Sequence, residues 1–485
     1  MKGSTMKKIC SPGFSITLTC QFSRDANGVA GLTAALAAAG GLVEQISLVK
    51  EDGANLTQKV QVRARDLAHQ AELVKVTKEC ANVKFENVDD DTFFQHCGGK
   101  VRIAPAHPLE DAAVLSRVYT PGVARICRAI DKDKERSFAL TQRRNMVAVV
   151  SDGSAILGLG NLGPEAAMPV MEGKALLFKR FGNVDSFPIC LATQDVDEIV
   201  RTVALMAPTF GGVNLEDIAA PRCFEIEEKL QKIVDIPIFH DDQHGTAIVA
   251  TAGLMNAAKL VGKKLSDLKI IFMGVGAAGT ACTKLFMTAG VKDIIGVNRS
   301  GVLWKGKENL NVSQKAYAEI TNPKMVKGTL ADVIKDADVF VGLSGPDTMD
   351  VEDVKKMAKN AIIFAMSNPD PEIRPEVAAP HVAVMATGRS DYPNQINNVL
   401  AFPGLFRGAL DVRASRITPN MNLAAANAIA AIAEADGLSK DHIIPNPFDM
   451  RVPKAVAEAV MEAARKDGVA REVVPMPGMG DLADA

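Results

Sequence analysis

Clustered cysteines are the first thing this chain lacks. Its eight cysteines lie singly, with no C-x-x-C pair among them. That spacing does not build a structural zinc knuckle. Scattered cysteines in a large chain read instead as buried apolar residues of a reducing compartment. Net charge is also nearly absent: 55 basic residues face 57 acidic ones, for a formal charge of −2. No basic field is present to draw nucleic acid or an anionic membrane. The local run Gln142-Arg143-Arg144 reads as a solvated face. No apolar run reaches the ~18 residues of a bilayer span. The longest candidate, Leu423 to Ala433, is alanine-rich and reads as a buried helix. The N-terminal segment MKGSTMKKICSPGFSITLTC has neither a sustained apolar stretch nor a small-residue cleavage site, so no signal peptide is expected. The cytoplasm follows by default.

What is present is a globular composition, 47% hydrophobic and 23% charged over 485 residues. That length predicts two or three domains, and the order of strands and helices along the chain reads as α/β. In the first block SITLTCQF reads as a strand, and Gly28 to Ala39 as a helix stopped by Gly40-Gly41. VEQISLVK and LTQKVQVRA read as strands about an Asp52-Gly53 turn. A helix over 66–80 and the strand NVKFENV complete βαββαβ, the ferredoxin-like split unit. At this length it resembles an ACT regulatory domain. The resemblance implies a small effector bound between paired copies, although Asn27-Gly28 stands where that family has Pro-Gly. The acidic run Asp89-Asp90-Asp91 reads as a boundary, giving a regulatory domain over 1–90. A block over 95–245 mixes helices with the strands MVAVVSDG, FPICLAT and IPIFHDD. The block 246–485 repeats strand, turn and helix. Its strands are KIIFMGVG, DIIGVNR, DVFVGLSG, AIIFAMSNP and HVAVMAT, as in a doubly wound parallel sheet of Rossmann type.

One turn in that last block carries chemistry. Gly274-Val275-Gly276-Ala277-Ala278-Gly279 fits G-x-G-x-x-G, follows a strand and opens a helix. The first glycine permits the tight turn, the second lets backbone approach a pyrophosphate, and the third lets helix and strand pack closely. The helix N-terminus then faces the anion. The next strand ends at Asn298-Arg299-Ser300, with no acid for a ribose. A neutral amide does not repel a 2′-phosphate, and Arg299 can pair with one. The reading leans toward NADP, or dual use of NAD and NADP.

Ahead of this loop stand two acidic pairs, Glu216-Asp217 in VNLEDIAAP and Asp241-Asp242 in IFHDDQHGTA. Carboxylates so placed suggest a hard divalent cation beside a nicotinamide. Tyr119-Thr120-Pro121-Gly122, SDGSAILGLGNLGPEAAMPVMEGKALLFK, VNLEDIAAPRCFEIE, IFHDDQHGTA, FAMSNPDPE and YPNQINNVLAFPG follow one another in an order that resembles the malic enzymes, specifically their short bacterial branch. The resemblance covers about residues 95 to 445. It implies metal-dependent oxidative decarboxylation of malate to pyruvate and carbon dioxide, with reduction of a nicotinamide cofactor.

The resemblance also implies roles. Glu216, Asp217 and Asp242 would bind Mg²⁺ or Mn²⁺, with Asp241 near the catalytic lysine. Lys174, flanked by apolar residues, is expected to have a lowered pKa and to act as general base. Tyr119, one of three tyrosines, would be the acid that protonates C3. Asn368, at a strand end, and Asn398, favoured over Asn397, would reach the nicotinamide and the malate carboxylate. Ser344, after another strand, would line the cofactor. His240 and His244 read as supporting residues rather than ligands. The long eukaryotic branch carries a substrate arginine before ILGLG, where this chain has Ala155; the short branch lacks it too. The group facing malate's second carboxylate stays unnamed. No phosphotransacetylase-like extension is expected, and a homodimer or larger homo-oligomer is. Two alternatives stand beside this reading: an oxidative decarboxylase of a related 2-hydroxy acid, and a non-catalytic nucleotide-binding regulator. An amino-acid dehydrogenase also pairs a substrate domain with a Rossmann domain, but needs no metal.

Overall fold

The structure, a computed structural model, describes residues 10–23 and 28–471. Asn27, in the first strand-to-helix turn, lies outside the described residues. The chain forms two compact units, Met1–Arg102 and Ile103–Ala485.

In the first unit β1 (Ser15–Ser23), α1 (Gly28–Ala38), β2 (Leu42–Asp52), β3 (Asn55–Arg63), α2 (Leu67–Glu79) and β4 (Val83–Asp90) run in that order. The strands are antiparallel and lie side by side as β2-β3-β1-β4. Alternation along β1 sends Ile16, Leu18, Cys20 and Phe22 into the core with Leu32, Leu36 and Leu73 of the helices. The acidic run sits inside this unit. Asp90 caps the short helix α3 (Asp91–His96), and Asp91 accepts hydrogen bonds from Ser15, Thr17 and Gln61. These acids close the sheet, and the compact unit continues to Arg102.

The second unit contains two parallel-stranded sheets. The first places β5 (Met146–Ser151), β6 (Asp185–Cys190), β7 (Gly212–Leu215) and β8 (Ile238–His240) in the order β6-β5-β7-β8. The strand β7 is not evident in the sequence. It is four residues long and begins on the second of two glycines, so no run of β-formers announces it. The second sheet comprises β9 (Lys269–Met273), β10 (Asp293–Asn298), β11 (Gly301–Val302), β12 (Val339–Gly342), β13 (Ile362–Ala365) and β14 (Val384–Thr387). Their order is β11-β10-β9-β12-β13-β14. All neighbours are parallel except the short β11. The expected Rossmann-type sheet is therefore present, with an antiparallel edge. Apolar strands buried on both faces explain its near-continuous hydrophobic runs.

The helix Asp241–Leu260 begins directly after β8 and is buried along most of its length. Its residues share one core with Val147, Val149 and Phe239 of the first sheet and Ile270 and Phe364 of the second. The two sheets are thus tied by a common hydrophobic layer, and their carboxyl ends are held in fixed relation. The stretch around Leu423 is the buried helix Pro419–Ala435. In the basic run Gln142 and Arg144 are exposed as expected, but Arg143 is half-buried, stacks over Phe138 at 4.0 Å and donates to the Phe210 carbonyl.

Candidate active site

Lys174 lies on the helix Pro164–Gly182, which opens on a proline and stops at Asn183 in the left-handed region. Its inward stripe is Ala167, Met171, Lys174, Ala175 and Phe178, a helical period with one cation set among apolar residues. The side chain is 7% exposed, and its ammonium stands 2.5 Å from Asp241 Oδ2 and 3.0 Å from Glu216 Oε1 and lies over the Phe402 ring at 4.3 Å. Glu216 follows β7, where strand alternation turns it to the same side as Asn214, whose amide donates to its other oxygen at 2.8 Å. Asp241 and Asp242 occupy the first turn of their helix, where negative charge is favoured. Being adjacent, they diverge: Asp241 faces Lys174, while Asp242 accepts from the Asp217 backbone N–H at 2.9 Å. Asn398 also donates to Asp241 Oδ2. Asn397 instead caps its own short helix by accepting from the Val399 N–H, so of the two amides Asn398 is the one in the cluster.

Carboxylate oxygens of Glu216, Asp217 and Asp242 lie within 4.8 Å of one another. One oxygen of Asp217 is buried without a hydrogen-bond partner. Burial, opposed by Lys174 and reinforced by Asp241 and Asp242, lifts Glu216 well above the ordinary range. Burial and the adjacent Asp242 push Asp217 up to about 7. Crowded acids with an orphaned oxygen are what a hard cation would relieve, and the donor set is all oxygen.

The lowered lysine pKa expected from poor solvation is not found. Burial does press the Lys174 ammonium down, but Asp241 and Glu216 hold it above its ordinary value. Solvation was legible in the sequence, whereas the two flanking charges needed the fold.

A stability prediction follows from Asp217. Folded, it keeps its proton to about 7; unfolded, it releases it near the ordinary aspartate value. The folded state therefore binds more protons between those limits, and its stability falls as pH rises through that window. With chelator present, the thermal midpoint should drop between about pH 4 and pH 7, and Mn²⁺ should restore it most at the upper end. In Asp217→Asn the drop should shrink. A wild-type midpoint that is level or rising across the window would contradict the coupling.

Around the cluster, Asp152 is buried and held by Arg222 at 3.0 Å and by Ser154, whose hydroxyl accepts from the Ala219 N–H. This braces the turn after Glu216-Asp217. Gly245 leaves the space that Asp241 fills: a Cβ there would stand 2.0 Å from Oδ1. His244 Nε2 pairs with Glu227 at 2.8 Å, and His240 is fully buried beside Asp242. Sequence reasoning missed Asn214, Asp152, Gly245 and Phe402. Only Asn214 carried a local signal, its two-residue offset from Glu216.

In the glycine turn, Gly274 has φ +102° and abuts the Leu343 carbonyl, and Gly279 abuts the Gly274 carbonyl. The Cβ direction of Gly276 is open, and Ala277 and Ala278 begin the helix Ala277–Thr288. Asn298 ends β10, its side-chain Oδ1 accepting from the Ser300 N–H and hydroxyl, and Arg299 is exposed. Ser344 follows β12 and Asn368 follows β13, both at the carboxyl edge where open α/β sheets bind ligands. The Asn368 carbonyl meets Gly158 of the loop after β5, so the two halves touch there.

Tyr119 stands apart. It ends the helix Ala112–Val118, which buries no residue, and is 67% exposed. Within a single chain it does not join the buried Lys174 cluster.

The family model for the malic enzyme N-terminal domain matches residues 98–231, and that for the malic enzyme NAD binding domain matches residues 243–465. The chain is similar to an NAD-dependent malic enzyme of Geobacillus stearothermophilus, 53% identical over 96% of this chain and 97% of that one. It is 56% identical to a bifunctional malic/malolactic enzyme of Bacillus subtilis, over 78% of this chain and 92% of that one. Among solved structures, an NAD-dependent malic enzyme from Thermotoga maritima covers 77% of this chain and 99% of its own, at 46% identity and a TM-score of 0.74.

Proposed function

The chain belongs to the malic enzyme family, and from that premise we propose that it converts malate and NAD(P)⁺ to pyruvate, carbon dioxide and NAD(P)H. The observation that carries this reading is the buried Lys174 ammonium, wedged between Asp241 and one member of a three-carboxylate group. Glu216, Asp217 and Asp242 would hold Mg²⁺ or Mn²⁺, which when bound supplies Lewis-acid polarisation of the C2 oxygen.

The chain's own residues handle the protons. Lys174 Nζ and Asp241 Oδ2, 2.5 Å apart, form a relay: transfer of the ammonium proton to Asp241 frees the amine to take the malate hydroxyl proton. C2 gives its hydride to the nicotinamide. The bond from C3 to the departing carboxylate then breaks, and the electron pair is left as an enolate. Tyr119 gives C3 a proton and is recharged from Lys174. Asn368 and Asn398 orient the carboxamide and the substrate carboxylate. The glycine turn, with Ser344, holds the dinucleotide. Neutral Asn298 and exposed Arg299 support use of both nucleotides, and the similarity to the NAD-dependent Geobacillus enzyme supports NAD.

We read residues 95–245 as the substrate and metal domain, and 246–485 as the nucleotide domain. The block 1–90 is read as a ferredoxin-like, ACT-like regulatory domain for a small effector. The strand order β2-β3-β1-β4 with two helices supports that reading. The match to the Geobacillus enzyme, covering 96% of this chain, takes in most of that unit. We place the protein in the cytoplasm; no helix among the described residues is long and apolar enough to cross a membrane. The functional unit is a homo-oligomer in which Tyr119 serves the Lys174 of a second copy. Its exposure supports this, as do the exposed Leu115, Val118, Leu157 and Leu159 on the same unit. A short helix that buries nothing is marginal without a partner.

The decisive experiment is a steady-state assay with malate, NAD or NADP, and Mn²⁺. Pyruvate and reduced nucleotide should form in equal amounts with either nucleotide, stop on chelation and return with added cation. Nucleotide reduction without pyruvate, or full turnover in chelator, would refute it.

A further inference from the structure

We propose that Glu372, which takes no part in the chemistry above, is the positioning residue that fixes the cofactor-facing edge of the nucleotide sheet. The proposal rests on the reading that the nucleotide binds at that edge. Glu372 is fully buried between the segments leaving β12 and β13. Its Oε1 accepts from the Ser344 backbone N–H at 2.9 Å and from the Ser367 hydroxyl, and its Oε2 accepts from the Ser367 N–H at 3.2 Å. All three partners donate, which is the set an acceptor-only carboxylate satisfies. Bonds to a carboxylate are about twice as strong as neutral ones.

Backbone ties reinforce the bridge. Met349 N–H donates to the Glu372 carbonyl, and Asp347 N–H to that of Pro371. The chain also keeps a hole for this side chain. Gly342 ends β12, and a Cβ there would stand 2.4 Å from Glu372 Cδ. One carboxylate therefore sets the spacing of two loops, the first bearing Ser344 and the second bearing Asn368, one residue beyond Ser367. Asn368 has little freedom of its own: its side-chain amide nitrogen lies against Gly388, and its backbone carbonyl against Gly158. A displacement of Ser367 must move it.

The test compares Glu372→Gln and Ser367→Ala with wild type in the full-length protein. It reads NADH affinity by nucleotide fluorescence, KM for NAD and for malate, and the thermal midpoint. Glutamine places N–H groups where a donor must be accepted. Glu372→Gln should weaken NADH binding and raise the KM for NAD by about tenfold, the loss of one charge-assisted hydrogen bond. The KM for malate should move less than the KM for NAD, since Glu372 reaches the substrate only through Asn368 but holds the nucleotide edge at both Ser344 and Asn368. Ser367→Ala should shift the same nucleotide constants by about threefold. Earlier melting with wild-type NADH affinity and wild-type KM for NAD in both variants would make Glu372 a purely structural residue and overturn the proposal. If Glu372→Gln does not fold, Ser367→Ala decides by the same criterion. Wild-type protein that binds no NADH would instead defeat the underlying reading of the site.

Discussion

Lys174→Ala is expected to lower malate turnover by about a thousandfold, the middle of the range for a lost general acid-base group, while NADH still binds. The nucleotide contacts assigned above lie on the glycine turn and on the ends of β12 and β13, away from the lysine helix. Removing the ammonium also leaves Asp241 and Glu216 facing each other in a buried site, both within 3.0 Å of where it stood. Breaking a buried pair in this way costs about 3–5 kcal/mol, so the alanine variant should melt early unless Mn²⁺ is present. Lys174→Arg separates the two effects. A guanidinium keeps the positive charge between the carboxylates but does not give up its proton. It should therefore recover much of the stability and none of the turnover. Retention of turnover within tenfold of wild type in the arginine variant would remove Lys174 as the base, whatever its stability.

How much of this site was readable beforehand differs residue by residue. The acidic pairs were visible as dipeptides, and the resemblance assigned their members to different tasks. No local rule does so for Asp241 and Asp242. They are neighbours in one helical turn, and what separates them is that the turn is seated between Lys174 on one side and Asp217 on the other. The choice of Asn398 over Asn397 likewise depends on a cap: Asn397 is occupied by the Val399 N–H, a local bond that frees its neighbour for Asp241. The sheet of the nucleotide half was legible because buried parallel strands are apolar throughout. The strand β7 was not, since Gly212 and the three residues between it and the acidic pair carry too little pattern. Glu372 closes the FAMSNPDPE segment, but its role was invisible for a further reason. Its partners sit at the ends of two strands, and only the parallel pairing of β12 with β13 brings those ends together. The largest gap between sequence and structure is Tyr119, whose motif is unmistakable and whose side chain lies on the surface.

That gap has a sharp consequence. If Tyr119 of one copy completes the Lys174 site of another, two inactive variants should repair each other. Tyr119→Phe alone should slow protonation of C3 more than hydride transfer, and Lys174→Ala alone should be inert. Co-expressed in equal amounts, they form mixed dimers in half of the assemblies. In each mixed dimer one site pairs an intact Lys174 with an intact Tyr119, while the other has lost both. Turnover should then recover to roughly a quarter of wild type, as expected for a two-fold arrangement in which each copy lends one residue to its partner. If the tyrosine instead reached the lysine of its own chain, every site in the mixture would lack one group, and no turnover would return. The two arrangements therefore differ by orders of magnitude in a single measurement. The quantity to watch is pyruvate formation by the co-purified mixture, against each variant alone at the same concentration. Recovery would also explain why a seven-residue helix that buries none of its side chains is retained beside Tyr119: its packing partner, and the active site it finishes, belong to another copy of the chain.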